Sequence, residues 1–331
     1  MQNRHSATDL KQMQSLPLEA KIIMTKQRIR QWYEHWDGQV YVSFSGGKDS
    51  TVLKHIVDSM YSDVPAVFVN TGLEYPEIQK FVKDIKAGEY DCFNSEVEIV
   101  RPEMRFDEVL KKYGYPVISK EQSLYISEVH NTKSEKLRKK RLHVDEKGRF
   151  KISQKWLPLV DAPFNISPKC CTIMKKNPAK DYEKKTQRKP FIGTMADESI
   201  IRMNRWIKSG CNAFDNKRPT SQPLSFWTEQ DILHYIKEYN VPYCPVYGDI
   251  VSDSSGAKLY TTGCDRTGCI FCMFGCHLEK EPNRFQRLKE THPRQYEYCI
   301  NGGETVDGKL QPNKEGLGLG KVLDYIGVNY E

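Results

Sequence analysis

Residues 38–50 read Gly38-Gln39-Val40-Tyr41-Val42-Ser43-Phe44-Ser45-Gly46-Gly47-Lys48-Asp49-Ser50, and this stretch decides the fold. Its first part, GQVYVSF, is short, β-branched and aromatic, which is the composition of a strand. From Lys48 to Met60 the apolar residues Val52, Leu53, Ile56 and Val57 recur at helical spacing. Between the two lies a tight Ser-Gly-Gly turn. Downstream, Val64 to Val69 (VPAVFV) ends at Asn70-Thr71-Gly72, Pro76 to Ile85 resumes a helical pattern, and Val97 to Val100 fits a further short strand. Upstream, residues 8 to 36 place Leu16, Leu18, Ile22, Ile23, Ile29 and Trp32 as one helix leading into the first strand. Strands alternating with helices predict βαβ units, hence an α/β fold with a doubly wound, mostly parallel sheet. Ligands of such sheets sit beyond the carboxyl ends of the strands, where the two polar turns fall.

With 331 residues the chain is long enough for roughly two domains at about 150 residues each. The expected division is 1–225, a nucleotide-binding α/β domain with an N-terminal helix, and 226–331, a helical and Cys-rich segment packed on it. Apolar residues at 38% and charged residues at 28% exclude wholesale disorder. A net charge of 50 − 43 = +7 favours anionic partners without demanding one. No apolar run reaches the ~20 residues of a membrane span, and the first residues lack the apolar core of a secretory signal, so a cytoplasmic protein with no membrane partner is expected. Ten cysteines are too sparse for a disulfide scaffold and point to metal or redox chemistry.

The loop Ser43-Phe44-Ser45-Gly46-Gly47-Lys48-Asp49-Ser50 suits a phosphate chain. Two glycines let the backbone turn its N–H groups onto an anion, and the helix that follows adds its positive end. Ser45 and Ser50 offer hydroxyl donors, Lys48 neutralises charge, and Asp49 is placed to hold Mg²⁺ through oxygen. The spacing is not G-x-x-x-x-G-K-[ST], which disfavours γ-phosphate cleavage of the Walker type. An ordinary glycine-rich turn with a solvated lysine is the plain alternative, and the intact SGGKDS after a strand speaks against it.

SGGKDS resembles the pyrophosphate loop of the adenine nucleotide alpha hydrolase-like superfamily, whose members cleave ATP between the α and β phosphates. Within it the likeness runs to the phosphoadenosine phosphosulfate reductase family, over about residues 35 to 280. Val69-Asn70-Thr71-Gly72 with Glu74-Tyr75-Pro76-Glu77 resembles that family's VDTG turn, with Asn70 where Asp is usual. Gly193-Thr194-Met195-Ala196-Asp197-Glu198-Ser199 with Arg202 resembles its substrate-side segment, and Pro223-Leu224-Ser225-Phe226-Trp227-Thr228 its P-L-x-x-W-T helix. The resemblance implies that Asn70, Thr71 and Gly72 help bind the nucleotide, that Lys48 and Asp49 act in catalysis, and that Arg202 faces sulfate or phosphate. Two departures bear on activity. The loop keeps the lysine and aspartate of the ATP-using branch, and the last cysteine, Cys299, is not followed by the Glu-Cys-Gly whose thiol attacks sulfur in sulfonucleotide reductases. The implied reaction is therefore ATP-dependent adenylation with release of AMP and pyrophosphate, coupled to sulfur transfer. Reduction of a sulfonucleotide, and non-catalytic regulation through nucleotide or DNA binding, are the alternatives.

Cys170-Cys171 and the Cys269-x-x-Cys272 turn each present two thiols, and together they are able to close around one metal centre. Cys264, Cys269, Cys272 and Cys276 form a rival local set, with zinc as well as iron–sulfur open to either. An adjacent pair plus CxxC resembles the iron–sulfur branch of the family, which implies a [4Fe–4S] cluster on Cys170, Cys171, Cys269 and Cys272. Cys92, Cys211, Cys244 and Cys299 are isolated and read as packing residues. Lys175, Lys176, Arg202 and Arg205 are candidates for charge near a cluster or phosphate. Residues 131–141 (NTKSEKLRKKR) carry six Lys or Arg and one Glu. A solvated helix face is the plain reading of that run and a contact for nucleic acid the sharper one. The expected partners are thus a nucleotide substrate, nucleic acid and a sulfur donor protein.

Overall fold

The computed structural model describes residues 4–142 and 150–331. In chain order its helices and strands are α1 (Ala7–Gln14), α2 (Leu18–His35), β1 (Val40–Phe44), α3 (Lys48–Asp58), β2 (Ala66–Val69), α4 (Pro76–Ala87), β3 (Val97–Val100), α5 (Phe106–Tyr113), α6 (Lys120–Asn131), α7 (Glu135–Arg141), α8 (Asn177–Thr186), β4 (Lys189–Ile192), α9 (Ile200–Ser209), β5 (Asn212–Ala213), β6 (Thr220–Ser221), α10 (Glu229–Glu238), β7 (Ile250–Ser252), β8 (Leu259–Thr261), α11 (Arg284–Thr291), α12 (Pro293–Ile300), β9 (Glu304–Val306), β10 (Lys309–Gln311) and α13 (Leu319–Tyr325). The single helix expected over 8–36 is two, because Pro17, with φ −58°, lacks the N–H that would continue α1 and instead opens α2.

Six strands form one sheet in the order β3-β2-β1-β4-β6-β5. Every pairing is parallel except β5 with β6. Val40, Tyr41, Val42 and Phe44 of β1 are all buried, the continuous pattern of a parallel strand covered on both faces. Because β2 and β4 flank β1 on opposite sides, the order switches at the β1/β4 pair, and a crevice opens there at the carboxyl ends.

The chain divides into two compact units, and not at residue 225. The first comprises 1–70, 74–101 and 179–267, and the second 71–73, 102–178 and 268–331. The physical reason is visible in α10. Thr228 caps it with Asp231, Asp231 holds buried Lys21 of α2 at 2.7 Å, and Trp227 Nε1 donates to Thr25 at 2.9 Å, which ties residues past 225 to the sheet. The PLSFWT segment is therefore a brace between α2 and α10. The second unit gathers two long excursions from the sheet around Val109, Tyr115, Ile126, Phe285, Cys299, Leu319 and Val322, all buried. Tyr115 donates its hydroxyl to Leu317 O at 2.8 Å, joining the two excursions. The stretch after Asn301 carries the β9–β10 hairpin and α13.

Candidate functional site

The loop after β1 is built by close approach. Gly46 has φ +71°, and a Cβ there would lie 2.9 Å from Ile78 and 3.0 Å from Val82 of α4. Gly193, just after β4, lies so near the start of α3 that a Cβ would stand 3.0 Å from Asp49 O. Gly46 is favoured by its positive φ and the α4 methyl groups against it, and Gly193 by the close backbone of α3. Ser50 braces the loop from within, accepting the Ser45 N–H at 3.1 Å and donating to Gly47 O at 2.9 Å.

A cavity of about 220 Å³ opens beside this loop, lined in part by Ser45, Gly47, Lys48, Asp49, Gly193 and Arg202. Lys48 is buried, with its Nζ 2.8 Å from Glu229 Oε1 and its backbone N–H donating to Tyr247 OH at 3.2 Å. Tyr247 in turn bonds Thr267 at 2.6 Å. Asp49 Oδ1 is buried with no hydrogen-bond partner. Burial raises the Asp49 carboxyl to about 6, against the pull of Lys48 and with a further push from Glu198 and Glu229. Arg202 pairs with Glu198, which Arg266 also approaches at 3.9 Å.

Lys48, Asp49 and Arg202, the three candidate catalytic residues, all line this one cavity. Ser43, Gly46 and Ser50 do not line it, since Ser43 lies within β1, in register with Val67 and Ile192. Nor do Asn70, Thr71 and Gly72. Asn70 follows β2 with its N–H on Val100 O at 2.9 Å, and Thr71 and Gly72 fall in the second unit. Arg205 is taken up by Thr220, 2.5 Å away. Glu229, Tyr247, Asp265, Arg266 and Thr267 complete the wall unforeseen. The polar triplet Asp265-Arg266-Thr267 inside the Cys-rich stretch was the one available signal, because the sheet sets its distance from the loop and sequence spacing does not.

In the second unit Cys170 and Cys171 open a helical segment whose next turn, Thr172–Lys176, is a π-helix, a form frequent at functional sites. Their sulfurs are 3.9 Å apart. The Cys170 thiol is pushed up by its bond to Cys171 and by burial, with Cys272 and Cys269 adding to the effect. Cys171 is held down at about 6 by that same bond, helped by Lys120, Lys175 and Lys176 against the cost of burial. The Cys269–Cys272 turn closes with Cys272 N–H on Cys269 O at 3.1 Å. The charges of Cys269 and Cys272 are felt at Cys170, and that of Cys272 at Cys276 as well. Of the rivals, Cys264 belongs to the first unit, and Cys276 is buried with its thiol donating to Met273 O at 3.0 Å. Among the described residues no three His, Cys, Asp or Glu are grouped for a single metal ion. As a donor set, four thiols fit an iron–sulfur cluster, whose several metal atoms accept thiolates spread more widely than one zinc does. Cys211, Cys244 and Cys299 are buried packing residues and Cys92 is half-buried.

Residues 39–274 match the profile described as a phosphoadenosine phosphosulfate reductase domain. The chain belongs to this family. Two uncharacterized proteins of Methanocaldococcus jannaschii are 24% identical over 276 residues and 26% over 279, each across 82% of this chain. The chain spans only 43% and 50% of their lengths, about half of the curated relatives it matches first. An adenosine 5′-phosphosulfate reductase of Oceanobacillus iheyensis is 22% identical over 251 residues, covering 74% of this chain and 76% of that protein. Among solved structures, a phosphoadenylyl-sulfate (PAPS) reductase from Candida auris in phosphate complex aligns over 73% of this chain and 97% of its own, with TM-score 0.40 and 15% identity. A U34-tRNA thiolase from Methanococcus maripaludis with its [4Fe–4S] cluster aligns over 93% and 88%, with TM-score 0.36 and 14% identity. No helix among the described residues is long and apolar enough to cross a membrane.

Proposed function

We propose that this member of the family adenylates its substrate with ATP and couples the step to sulfur transfer. One observation carries the reading: a buried lysine and a buried carboxylate oxygen with no partner face the same cavity at the mouth of a glycine-built loop. The lysine suits the phosphates of the nucleotide, and the bare oxygen suits their cation. Asp49 would hold magnesium, which neutralises charge on the phosphates when bound. Lys48 and Arg202 steady the phosphate chain while a substrate oxygen attacks the α phosphorus, the α–β bridge breaks and pyrophosphate departs. The adenylated oxygen then leaves as AMP when sulfur attacks the carbon that bore it. Cys170, Cys171, Cys269 and Cys272 would hold the cluster, which supplies iron able to bind sulfur.

The test is product analysis with α-labelled ATP over a panel of RNA, DNA and sulfonucleotides. AMP and pyrophosphate are expected, and ADP with phosphate as the sole products would overturn the mechanism. The Oceanobacillus relative favours a second reading, reduction of adenylylsulfate. Its mark is sulfite released with a thiol reductant and no ATP. The buried Cys299 thiol is not placed to attack such a substrate.

A further inference from the structure

The second unit holds a cavity of about 540 Å³ that the adenylation reading leaves unused. It is lined by Lys112, Tyr113, His130, Thr132 and Lys169, the last of these next in sequence to Cys170. Lys169 Nζ stands 4.5 Å from the Tyr113 ring centre and Lys112 Nζ 5.4 Å, so one aromatic ring is flanked by two ammonium groups. The one carboxylate in the wall, Glu128, is already bonded by Arg141 Nε at 2.6 Å, which leaves the lining positive.

From the rim at Thr132 the chain enters α7, none of whose residues is buried. Its basic residues divide by role. Arg138 Nε donates to Val129 O at 3.2 Å, and the Arg141 guanidinium lies 4.0 Å from the Tyr125 ring centre, so both arginines serve the fold. Lys136 and Lys139 are exposed, and so is Lys140, whose Nζ lies 5.4 Å from the Phe150 ring centre. The run 131–141 is therefore part brace and part exposed cationic face, adjoining through Thr132 and Leu137 a positive pocket with an aromatic wall.

We propose that this cavity and the α7 lysines bind single-stranded nucleic acid, seating one unstacked nucleotide beside Tyr113 with its neighbouring phosphates on the lysines. Three features select that ligand. The volume lies within the roughly 300–1,000 Å³ of small-ligand pockets, enough for one nucleotide. An aromatic ring beside ammonium groups is the arrangement that stacks a base and tracks its backbone. A duplex keeps its bases stacked and offers nothing that enters a concave pocket without flipping. The proposal deepens the adenylation reading by naming the class of acceptor, and rests on it only for the claim that the bound strand is the substrate.

Fluorescence anisotropy of the full chain with labelled RNA and DNA oligonucleotides, single- and double-stranded and without ATP, tests it. Single strands are expected to bind more tightly than duplexes, with affinity falling steeply with salt; the RNA and DNA arms tell the two sources apart. The triple variant Lys136→Ala, Lys139→Ala, Lys140→Ala should lower the log–log salt slope by about 2 to 3. Tyr113→Leu, which keeps apolar bulk but not the ring face, should weaken single-strand binding roughly 5- to 100-fold. Equal binding of duplex and single strand, displacement of RNA by polyglutamate at equal charge, or full binding by Tyr113→Leu each overturn the proposal. Because ATP is absent, failure here leaves the adenylation reading to its own product test.

Discussion

Asp49 shows how a buried carboxyl is held against its own preference. Its carboxyl sits at about 6 while an unfolded aspartate titrates near 3.8. Below about pH 4 both states are protonated and folding costs nothing extra. As pH rises from there to 6 the unfolded chain releases a proton that the folded chain retains, so stability falls across this window and stays lower above it, by on the order of 3 kcal/mol. Asp49→Asn carries no such penalty. Its urea midpoint should exceed that of the parent at pH 7 and converge with it at pH 4, while product formation from ATP is lost. An identical gain at both pH values would show that the buried charge is not the cause.

Between elements, the decisive contact is that of α10 with the start of α3. Glu229, the first residue of α10, places its half-exposed carboxylate on Lys48 and so competes for the charge that a phosphate would use. Such a pair is worth about 1 kcal/mol or less, and removing an acid from a helix N-terminus costs a few tenths. The lysine, left buried beside the Asp265 carbonyl, gains by meeting an anion. Glu229→Gln should therefore bind ATP about two- to fivefold more tightly in calorimetry, and weaker binding would mean that Glu229 positions the lysine for the nucleotide. Nothing in residues 38–60 betrays this contact. The strand, turn and helix there were legible because period and glycine chemistry are local, whereas Glu229, Tyr247 and Thr267 reach the loop only through the parallel sheet. The break at Pro17 was legible too, but the helical spacing of its neighbours masks it.

At the scale of the whole chain, the interleaving of two units explains why a single boundary at 225 fails and why the cysteines were ambiguous. Cys264, Cys269, Cys272 and Cys276 are close in sequence, which makes a local site the economical reading. Cys264 falls in the first unit and the other three in the second, which also contains the excursion 102–178 with Cys170 and Cys171. A cluster on Cys170, Cys171, Cys269 and Cys272, as proposed, would join both excursions, so its loss should be felt in metal content and in the stability of the second unit alike. With anaerobically purified protein, Cys170→Ser and Cys272→Ser are expected to lose most of their iron and sulfide and the visible absorbance that accompanies them, and Cys264→Ser to retain all three. Iron retained in Cys170→Ser but lost in Cys264→Ser would transfer the site to the local set. Zinc bound one per chain, with no acid-labile sulfide, would replace the cluster by a single ion and leave the π turn after Cys171 to bring the four thiols closer than they stand.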